Sequence, residues 1–206
     1  MVEAPARELI LASTSPFRRR MLEAAGLVFR VVPPEVDEPE LKRHLSLEAA
    51  KPAPPDVVAT ALARAKAEAV SSRFPAAIVI GADQVLASGG ELLNKPQDIA
   101  AARRQLVQLR GKTHNLLTAV ALSERGKCVW LHVDTATLAM RKFSDRFLED
   151  YLAQGGEGLC RMVGAYEIEG RGIQLFERVE GNTFGIVGLP LLPLLAELRA
   201  RGAILS

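Results

Sequence analysis

The chain has 206 residues, which suits one substantial domain or two small lobes, and its composition of 49% hydrophobic and 24% charged residues is ordinary for a soluble globular protein. Lys and Arg total 26 against 24 Asp and Glu, and this net charge of +2 argues against bulk nucleic-acid binding. Two cysteines without paired spacing, no signal-like N-terminal run and no apolar stretch of membrane-spanning length indicate a cytoplasmic protein with free thiols.

Residues 8–26 combine the end of a short buried strand, a run of hydroxyls and the start of an amphipathic helix. Ser15 is a favourable N-cap, and Pro16 suits the first helical position because its missing N–H costs nothing there. A helix N-terminus with hydroxyls and the guanidinium groups of residues 18–20 beside it can bind phosphate. A plain strand-to-helix connection followed by a solvated basic helix explains the same residues.

Residues 27–32 are rich in β-formers and predict a second strand. The chain then crowds four carboxylates into a short stretch that we interpret as a loop. They are Glu35, Asp37, Glu38 and Glu40. The loop is either solvated or binds Mg²⁺ or Mn²⁺, which prefer oxygen ligands of this kind. Residues 40–55 are polar and carry several prolines, and they predict an irregular connection.

Residues 57–71 have high helix propensity throughout, and their charged side chains, Lys66 among them, fit a solvated face. The apolar run at residues 76–80 predicts a buried strand of an α/β sheet. Asp83 follows this run, and a carboxylate directly after a buried strand lies where open α/β sheets place ligand sites. Aspartate is also a common turn former, so a structural role is the alternative.

Residues 85–93 predict a hairpin, and Lys95 follows it, directly before a proline that restricts the backbone. A lysine in this place can supply a point charge for phosphate or lie on the surface. Asp98 predicts the N-cap of a helix over Ile99–Leu109. His114 precedes an apolar strand and is either a phosphate contact or a structural residue.

The rest of the chain continues the alternation of strands and helices. Residues 128–140 predict a strand, Ser144 predicts the cap of a further helix, and a last helix is predicted over Leu191–Ala200. Glycines bracket short extended segments at residues 163–172. This order of elements predicts the α/β class.

Seven pieces of the sequence together resemble the Maf family of nucleoside triphosphate pyrophosphatases, and they occur in the family's order over nearly the whole chain. The pieces are residues 11–16 (LASTSP) with Arg18 and Arg19, 36–38 (VDE), 80–84 (IGADQ), 95–96 (KP), 111–114 (GKTH), 164–166 (GAY) and 188–190 (GLP). The resemblance implies one domain over residues 1–206, a single elongated α/β unit whose central mixed sheet is flanked by helices, with two lobes and a cleft.

The resemblance also implies an activity. Members of the family cleave a nucleoside triphosphate between its α- and β-phosphates, release nucleoside monophosphate and pyrophosphate, and use a divalent cation, for which we expect Mg²⁺, Mn²⁺ or Co²⁺. They commonly form homodimers.

The family's functional residues can be carried over position by position. Asp83 corresponds to the proton acceptor, and Glu38 corresponds to a carboxylate of the metal region, which Asp83 shares. A carboxylate that deprotonates a metal-held water needs to lie near both the cation and the α-phosphorus. The positions that hold the triphosphate correspond to Ser13, Ser15, Arg18 and Lys95.

Three positions that separate the family's substrate groups differ here from the members that act on thymidine and uridine triphosphates. Phe17, Gln84 and Glu169 replace Arg, Thr and Gln, and they resemble the branch that acts on 7-methylguanosine triphosphate, which usually has Trp in place of Phe17. A carboxylate can accept from the guanine N1–H and amino group, and an aromatic face attracts a ring that N7-methylation makes cationic. The alternative for Glu169 is a surface turn carboxylate.

The sequence therefore predicts a metal-dependent nucleoside triphosphate pyrophosphatase that removes unwanted nucleotides, with 7-methyl-GTP as substrate. The alternative within the family is a dTTP and UTP pyrophosphatase. An alternative of another class is a non-catalytic nucleic-acid-binding or division-regulating protein that uses residues 18–20 as a basic patch. The near-neutral charge and few aromatics argue against it, so we expect neither a nucleic-acid nor a membrane partner.

Overall fold

The computed structural model describes residues 7–48 and 52–205, and within them seven strands form one mixed sheet that helices flank. The strands are β1 (Leu9–Ala12), β2 (Arg30–Val31), β3 (Ile78–Ser88), β4 (Glu91–Leu93), β5 (Thr113–Glu124), β6 (Lys127–Met140) and β7 (Phe176–Glu180). The α-helices are α1 (Pro16–Ala24), α2 (Glu38–Glu48), α3 (Pro55–Arg73), α4 (Ile99–Leu109), α5 (Asp145–Gly155), α6 (Thr183–Val187) and α7 (Leu191–Ala200). The predicted α/β class is confirmed.

The strands lie in the order β2-β1-β3-β5-β6-β7, and β4 pairs with β3. β1 is parallel to both β2 and β3, whereas the β3–β4 and β6–β7 pairs are antiparallel. The predicted hairpin is the β3–β4 pair, whose turn residues Gly89 and Gly90 have φ of 60° and 85°. A two-residue turn with positive φ at both positions matches the twist of the strands that it joins, which explains the two glycines.

The chain divides into two units, each with its own hydrophobic core. The first unit contains residues through Gln84, Thr118–Asp134 and residues from Gly188 on, and the second contains Val85–Leu117 and Thr135–Val187. Buried side chains of the first core include Leu11, Leu22, Ile78, Ile80, Leu122 and Leu194. Those of the second include Leu86, Leu106, Leu138, Met140, Leu148 and Tyr166. The assignment of residues 1–206 to one domain stays a prediction.

Hydroxyl and carboxylate caps begin three of the helices, as the sequence predicts. Ser15 accepts from the Arg18 amide at 3.5 Å, and Ser144 accepts from the Phe147 amide at 3.2 Å. The Asp98 carboxylate accepts from the Ala101 amide at 2.6 Å and starts α4 at Ile99. Such caps satisfy amide groups that have no partner within the helix.

The sequence predictions for residues 27–55 differ from the structure in two places. The strand predicted over residues 27–32 forms, but it is confined to Arg30–Val31, which pair with Ile10 and Leu11 of β1. The irregular connection predicted over residues 40–55 begins instead as α2, while residues 49–51 lie outside the described part. Two local interactions stabilise the start of α2. The Asp37 carboxylate accepts a hydrogen bond from the Glu40 amide at 2.9 Å, and the negative charges of the first turn interact favourably with the helix dipole.

No helix in the described ranges is both long enough and apolar enough to cross a membrane.

Candidate active site

Asp83 lies inside strand β3, not after its end as the sequence predicts. β1 ends at Ala12, which is paired with Gly81, so Asp83 lies two residues beyond the carboxyl end of the neighbouring strand β1. The short apolar run ends before Gly81 in the sequence, but pairing with β4 continues β3 to Ser88. The carboxyl end of β1 therefore marks the site, and β3 carries its carboxylate past that edge.

Lys66 of α3 holds Asp83. The Lys66 ammonium donates to Asp83 Oδ1 at 2.6 Å, and the two side chains are only 9% and 10% exposed. The same ammonium lies 2.7 Å from Oε1 of Glu38, whose side chain is 41% exposed. The prediction that Lys66 lies on a solvated face is wrong, because two carboxylates from distant parts of the chain pair with it inside the fold.

Gly81 allows α3 to approach β3 closely enough for this contact. A Cβ atom at Gly81 would lie 2.4 Å from the Ala63 carbonyl oxygen and 2.7 Å from the Ala67 amide nitrogen of α3. Only glycine permits so short a distance between a strand and a helix backbone. Lys66 directly precedes Ala67, so the close packing at Gly81 is what brings its ammonium to Asp83.

The sequence indicates that Lys66 is buried, although helix propensity does not show it. Buried positions of α3 recur with helical spacing, at Ala59, Leu62, Ala63, Lys66, Ala67 and Val70. Lys66 occupies one position of this otherwise apolar stripe. A lone lysine in the buried stripe of a helix predicts an ion pair inside the fold, because a buried charge needs a partner.

Of three successive arginines, Arg18 is the one directed into the site. Arg18 Nε donates to the Gly188 carbonyl oxygen at 2.8 Å, and Nη1 donates to Ser13 Oγ at 3.4 Å. Burial lowers the pKa of the Arg18 guanidinium, while the negative charges of Asp83 and Glu38 act in the opposite direction. Arg18 therefore lies within electrostatic reach of the two carboxylates that Lys66 joins.

The other two arginines have partners on α1 itself. Arg19 pairs with Glu23 at 2.7 Å, and Arg20 lies over the Phe17 ring at 4.9 Å from its centroid. Arg18 is thus directed to Gly188 and Ser13, whereas Arg19 and Arg20 contact other residues of α1. Arg20 also covers one face of the Phe17 ring, so a stacked base would use the other face.

Ser13 and Ser15 shape the turn between β1 and α1. Ser13 is buried, and its hydroxyl accepts from the Ser15 amide at 3.1 Å. Ser15 in turn caps α1. Among the predicted phosphate contacts, the first unit thus brings Ser13, Ser15 and Arg18 together at one helix N-terminus, where backbone amides and the helix dipole favour an anion.

Gln84 follows the catalytic candidate directly and is already engaged in the sheet. Its side-chain amide donates to Thr118 Oγ1 at 2.9 Å. Gln84 is only partly buried, and its hydrogen bond to Thr118 orients the side-chain amide.

Lys95 and Glu169 belong to the second unit, whereas Asp83 belongs to the first. Lys95 is exposed shortly after β4, and Glu169 is exposed between two short 3-10 helices, Val163–Ala165 and Arg171–Leu175. Their assignments to phosphate and base stay predictions.

His114 is buried beneath the second unit's surface, with an exposed fraction of 2%. Its Nε2 lies 2.7 Å from the Tyr166 hydroxyl. Burial lowers its pKa from 6.5 to about 4, which favours the neutral imidazole. A buried, neutral, hydrogen-bonded imidazole fits the structural alternative for His114 better than a phosphate contact.

The two carboxylates that Lys66 joins fit a divalent cation. Among the residues that the structure describes, no group of three or more His, Cys, Asp or Glu side chains converges on one point. Mg²⁺ is usually held by only one or two carboxylates, with water and substrate phosphates completing its shell. Glu38 and Asp83 present one oxygen each to the same ammonium, so a cation site there is chemically consistent.

Comparison with known proteins identifies the relatives of this chain. A sequence model described as Maf-like protein matches residues 8–201. The chain is 48% identical to a 7-methyl-GTP pyrophosphatase of Rhizobium etli and 50% identical to one of Mesorhizobium japonicum, each over 96% of this chain and 98% of the relative. It is also 48% identical, with the same coverage, to a nucleoside triphosphate pyrophosphatase of Granulibacter bethesdensis.

Proposed function

Because the chain belongs to the Maf family, we propose that it hydrolyses the α–β phosphoanhydride of nucleoside triphosphates, and that 7-methyl-GTP is its preferred substrate. The products are a nucleoside monophosphate and pyrophosphate. The observation that carries the proposal is the cluster of Arg18, Glu38, Lys66 and Asp83, where cations lie beside a carboxylate at the edge of the sheet. The names of relatives about half identical to the chain support it.

Asp83 is the proton acceptor of the proposed reaction. A water oxygen forms a bond to the α-phosphorus, its proton passes to the Asp83 carboxylate, and the bridging bond breaks so that pyrophosphate leaves with its electron pair. Lys66 occupies Oδ1 of Asp83, so Oδ2 is the atom for the proton. The ammonium also fixes the carboxylate's orientation, which general-base catalysis requires.

Arg18, Ser13 and the amides at the start of α1 bind the phosphates. The Arg18 guanidinium is held by the Gly188 carbonyl group, so its charge is already in place before substrate arrives. A fixed positive charge stabilises the negative charge that develops on the phosphoryl oxygens during cleavage. Lys95 of the second unit is proposed as a further cation for the same phosphates.

Glu38 and Asp83 are the residues that would hold a divalent cation. When bound, such a cation supplies charge neutralisation for the phosphates and lowers the pKa of a water molecule. Glu38 lies at the first turn of α2, and its side chain is 41% exposed, so its carboxylate is accessible from solvent.

Glu169 is proposed to read the base, and Gln84 and Phe17 are proposed as further determinants of base specificity. A carboxylate only accepts hydrogen bonds, and guanine offers two adjacent donors, N1–H and the amino group. Uracil and thymine offer one donor between two carbonyl oxygens, which a carboxylate repels. The rival function, hydrolysis of dTTP and UTP, suits a glutamine in this position and therefore makes the opposite prediction for Glu169→Gln.

The test is the release of pyrophosphate from 7-methyl-GTP, GTP, UTP and dTTP by the purified chain, with kcat/KM measured for each. We expect the highest kcat/KM for 7-methyl-GTP. Glu169→Gln should reduce the ratio of kcat/KM for 7-methyl-GTP over UTP by an amount equivalent to about 1–3 kcal/mol, the cost of leaving polar partners unmatched. Glu167→Gln is the matched control, because it changes the neighbouring carboxylate of the same segment and should leave the ratio unchanged.

Each alternative predicts a different result. A wild-type protein that is faster on UTP and dTTP, with Glu169→Gln neutral, would assign it to the pyrimidine nucleotides. Pyrophosphate release from none of the four nucleotides, with or without added Mg²⁺ or Mn²⁺, would favour the non-catalytic alternative.

A further inference from the structure

We propose that His114 and Tyr166 are positioning residues for base selectivity, because their hydrogen bond anchors the segment that carries Glu169. The inference rests on the proposed function, which assigns Glu169 to the base. Neither residue touches the nucleotide in this proposal. They act by holding the backbone from which Glu169 projects.

The pair lies inside the second core. The Tyr166 hydroxyl and His114 Nε2 are 2.7 Å apart, and both side chains are buried. The Tyr166 ring packs against Phe176 of β7 in a T-shaped arrangement, with 4.8 Å between the ring centroids and 79° between the ring planes. His114 belongs to β5, so one hydrogen bond ties the start of the Glu169 segment to a strand of the sheet.

The backbone next to Tyr166 is strained, and a second tyrosine holds it. Gly164 and Ala165 both have positive φ, at 79° and 57°, and the Ala165 value is unfavourable for a residue with a side chain. The Tyr151 hydroxyl donates to the Ala165 carbonyl oxygen at 3.1 Å. Two phenol groups thus fix successive residues at the root of the segment.

The segment then turns tightly around Glu169. The Gly170 amide donates to the Glu167 carbonyl oxygen at 3.3 Å, and a Cβ atom at Gly172 would lie 2.4 Å from that same oxygen. Arg171 pairs with Asp150 of α5. Glu169 is therefore the exposed tip of a turn whose two sides are held, and its position depends on where those sides are anchored.

The imidazole has a feature that packing alone does not explain. Among the described residues, His114 Nδ1 has no hydrogen-bond partner although it is buried. An apolar side chain in this place would avoid the cost of a buried polar atom without a partner. An apolar residue could not form the hydrogen bond between His114 and Tyr166. We therefore infer that this bond is the reason for a histidine at position 114.

The experiment compares Tyr166→Phe, His114→Leu and the double variant in the full chain. Each single change should reduce the ratio of kcat/KM for 7-methyl-GTP over UTP by about three- to tenfold, the effect of one lost hydrogen bond. The double variant should lose no more than either single variant, because both remove the same bond. His114→Gln retains a polar group near the Nε2 position and should restore most of the ratio.

Two controls separate positioning from a general loss of stability. Leu148→Val removes a methylene from the same core and keeps His114, Tyr166 and Glu169, so it should leave the ratio unchanged even where its Tm falls as far. Hydrogen exchange of the Gly170 and Ile173 amides in the free protein should be faster in Tyr166→Phe and unchanged in Leu148→Val.

The outcomes distinguish this inference from the proposed function. If Glu169→Gln changes the ratio and Tyr166→Phe does not, the positioning role is wrong and the assignment of Glu169 stands. If neither variant changes the ratio, the assignment of Glu169 fails and the positioning role falls with it. Equal losses in Tyr166→Phe and Leu148→Val would show a general loosening of the core and would also overturn the inference.

Discussion

The buried ion pair between Lys66 and Asp83 is the interaction on which our account of the site depends most. The variant Lys66→Met tests how much this pair stabilises the fold. Methionine keeps an unbranched side chain that is one atom shorter than lysine, and it removes the charge. The Asp83 carboxylate is then buried without a partner, which costs about 3–5 kcal/mol when one member of a buried ion pair is removed. Glu38 is 41% exposed and returns to water, so its loss adds no more than about 1 kcal/mol. We expect Lys66→Met to lower the free energy of unfolding by about 3–5 kcal/mol.

The measurement is urea unfolding of the wild type, Lys66→Met, Asp83→Asn and the double variant, followed by two probes whose transitions must coincide. Asp83→Asn keeps an oxygen that accepts from Lys66, so its cost should be smaller. The double variant should lose less unfolding free energy than the two single variants lose in total. The difference should be about 1–3 kcal/mol, because the two residues are in direct contact.

The surface provides a matched control for the same chemistry. Arg19→Met breaks the exposed pair with Glu23, whose side chains are 61% and 47% exposed, and it should cost no more than about 0.5 kcal/mol. If Lys66→Met were as mild as Arg19→Met and additive with Asp83→Asn, the buried pair would not stabilise the fold, and our account of how Asp83 is held would be refuted.

Three further predictions concern turnover and pH. Asp83→Asn should reduce turnover by about 10²–10⁴-fold while the protein still folds, and retention of more than about a tenth of the wild-type rate would exclude Asp83 as the base. Glu38→Gln and Lys95→Ala should each lower turnover sharply, and excess chelator should remove it, whereas full activity in chelator would contradict the proposed metal. Burial lowers the pKa of His114 from 6.5 to about 4. Between these two pH values the imidazole is therefore protonated in the unfolded chain and neutral in the folded chain. Stability should therefore be greatest above pH 6.5 and fall by about 2 kcal/mol between pH 7 and pH 5. His114→Gln should flatten this profile in urea unfolding, and an unchanged profile would show that another group titrates.

Much of the local structure was decided by neighbouring residues, and the sequence predicts it for that reason. A cap needs only a hydroxyl or carboxylate a few residues before the amide that it accepts from, as at Ser15, Asp98 and Ser144. The Gly89-Gly90 turn likewise depends on the conformations that those two residues can adopt. The α/β class follows from the same local signals added along the chain.

The residues that form the site come from segments that are distant in the sequence. Lys66 and Asp83 are 17 residues apart, and whether the lysine faced water or a carboxylate depended on the way α3 packs against β3 at Gly81. Helix propensity is the same for a solvated and a buried lysine, so it could not decide between them. Asp83 resembles a turn residue by its neighbours, and only its pairing within the sheet placed it inside a strand. The sequence by itself therefore determined the family and the residue types that the chemistry needs. The apolar stripe of α3 indicates that Lys66 has a charged partner, but only the tertiary structure decided which carboxylates it meets, because Glu38 and Asp83 lie in segments that come together by packing.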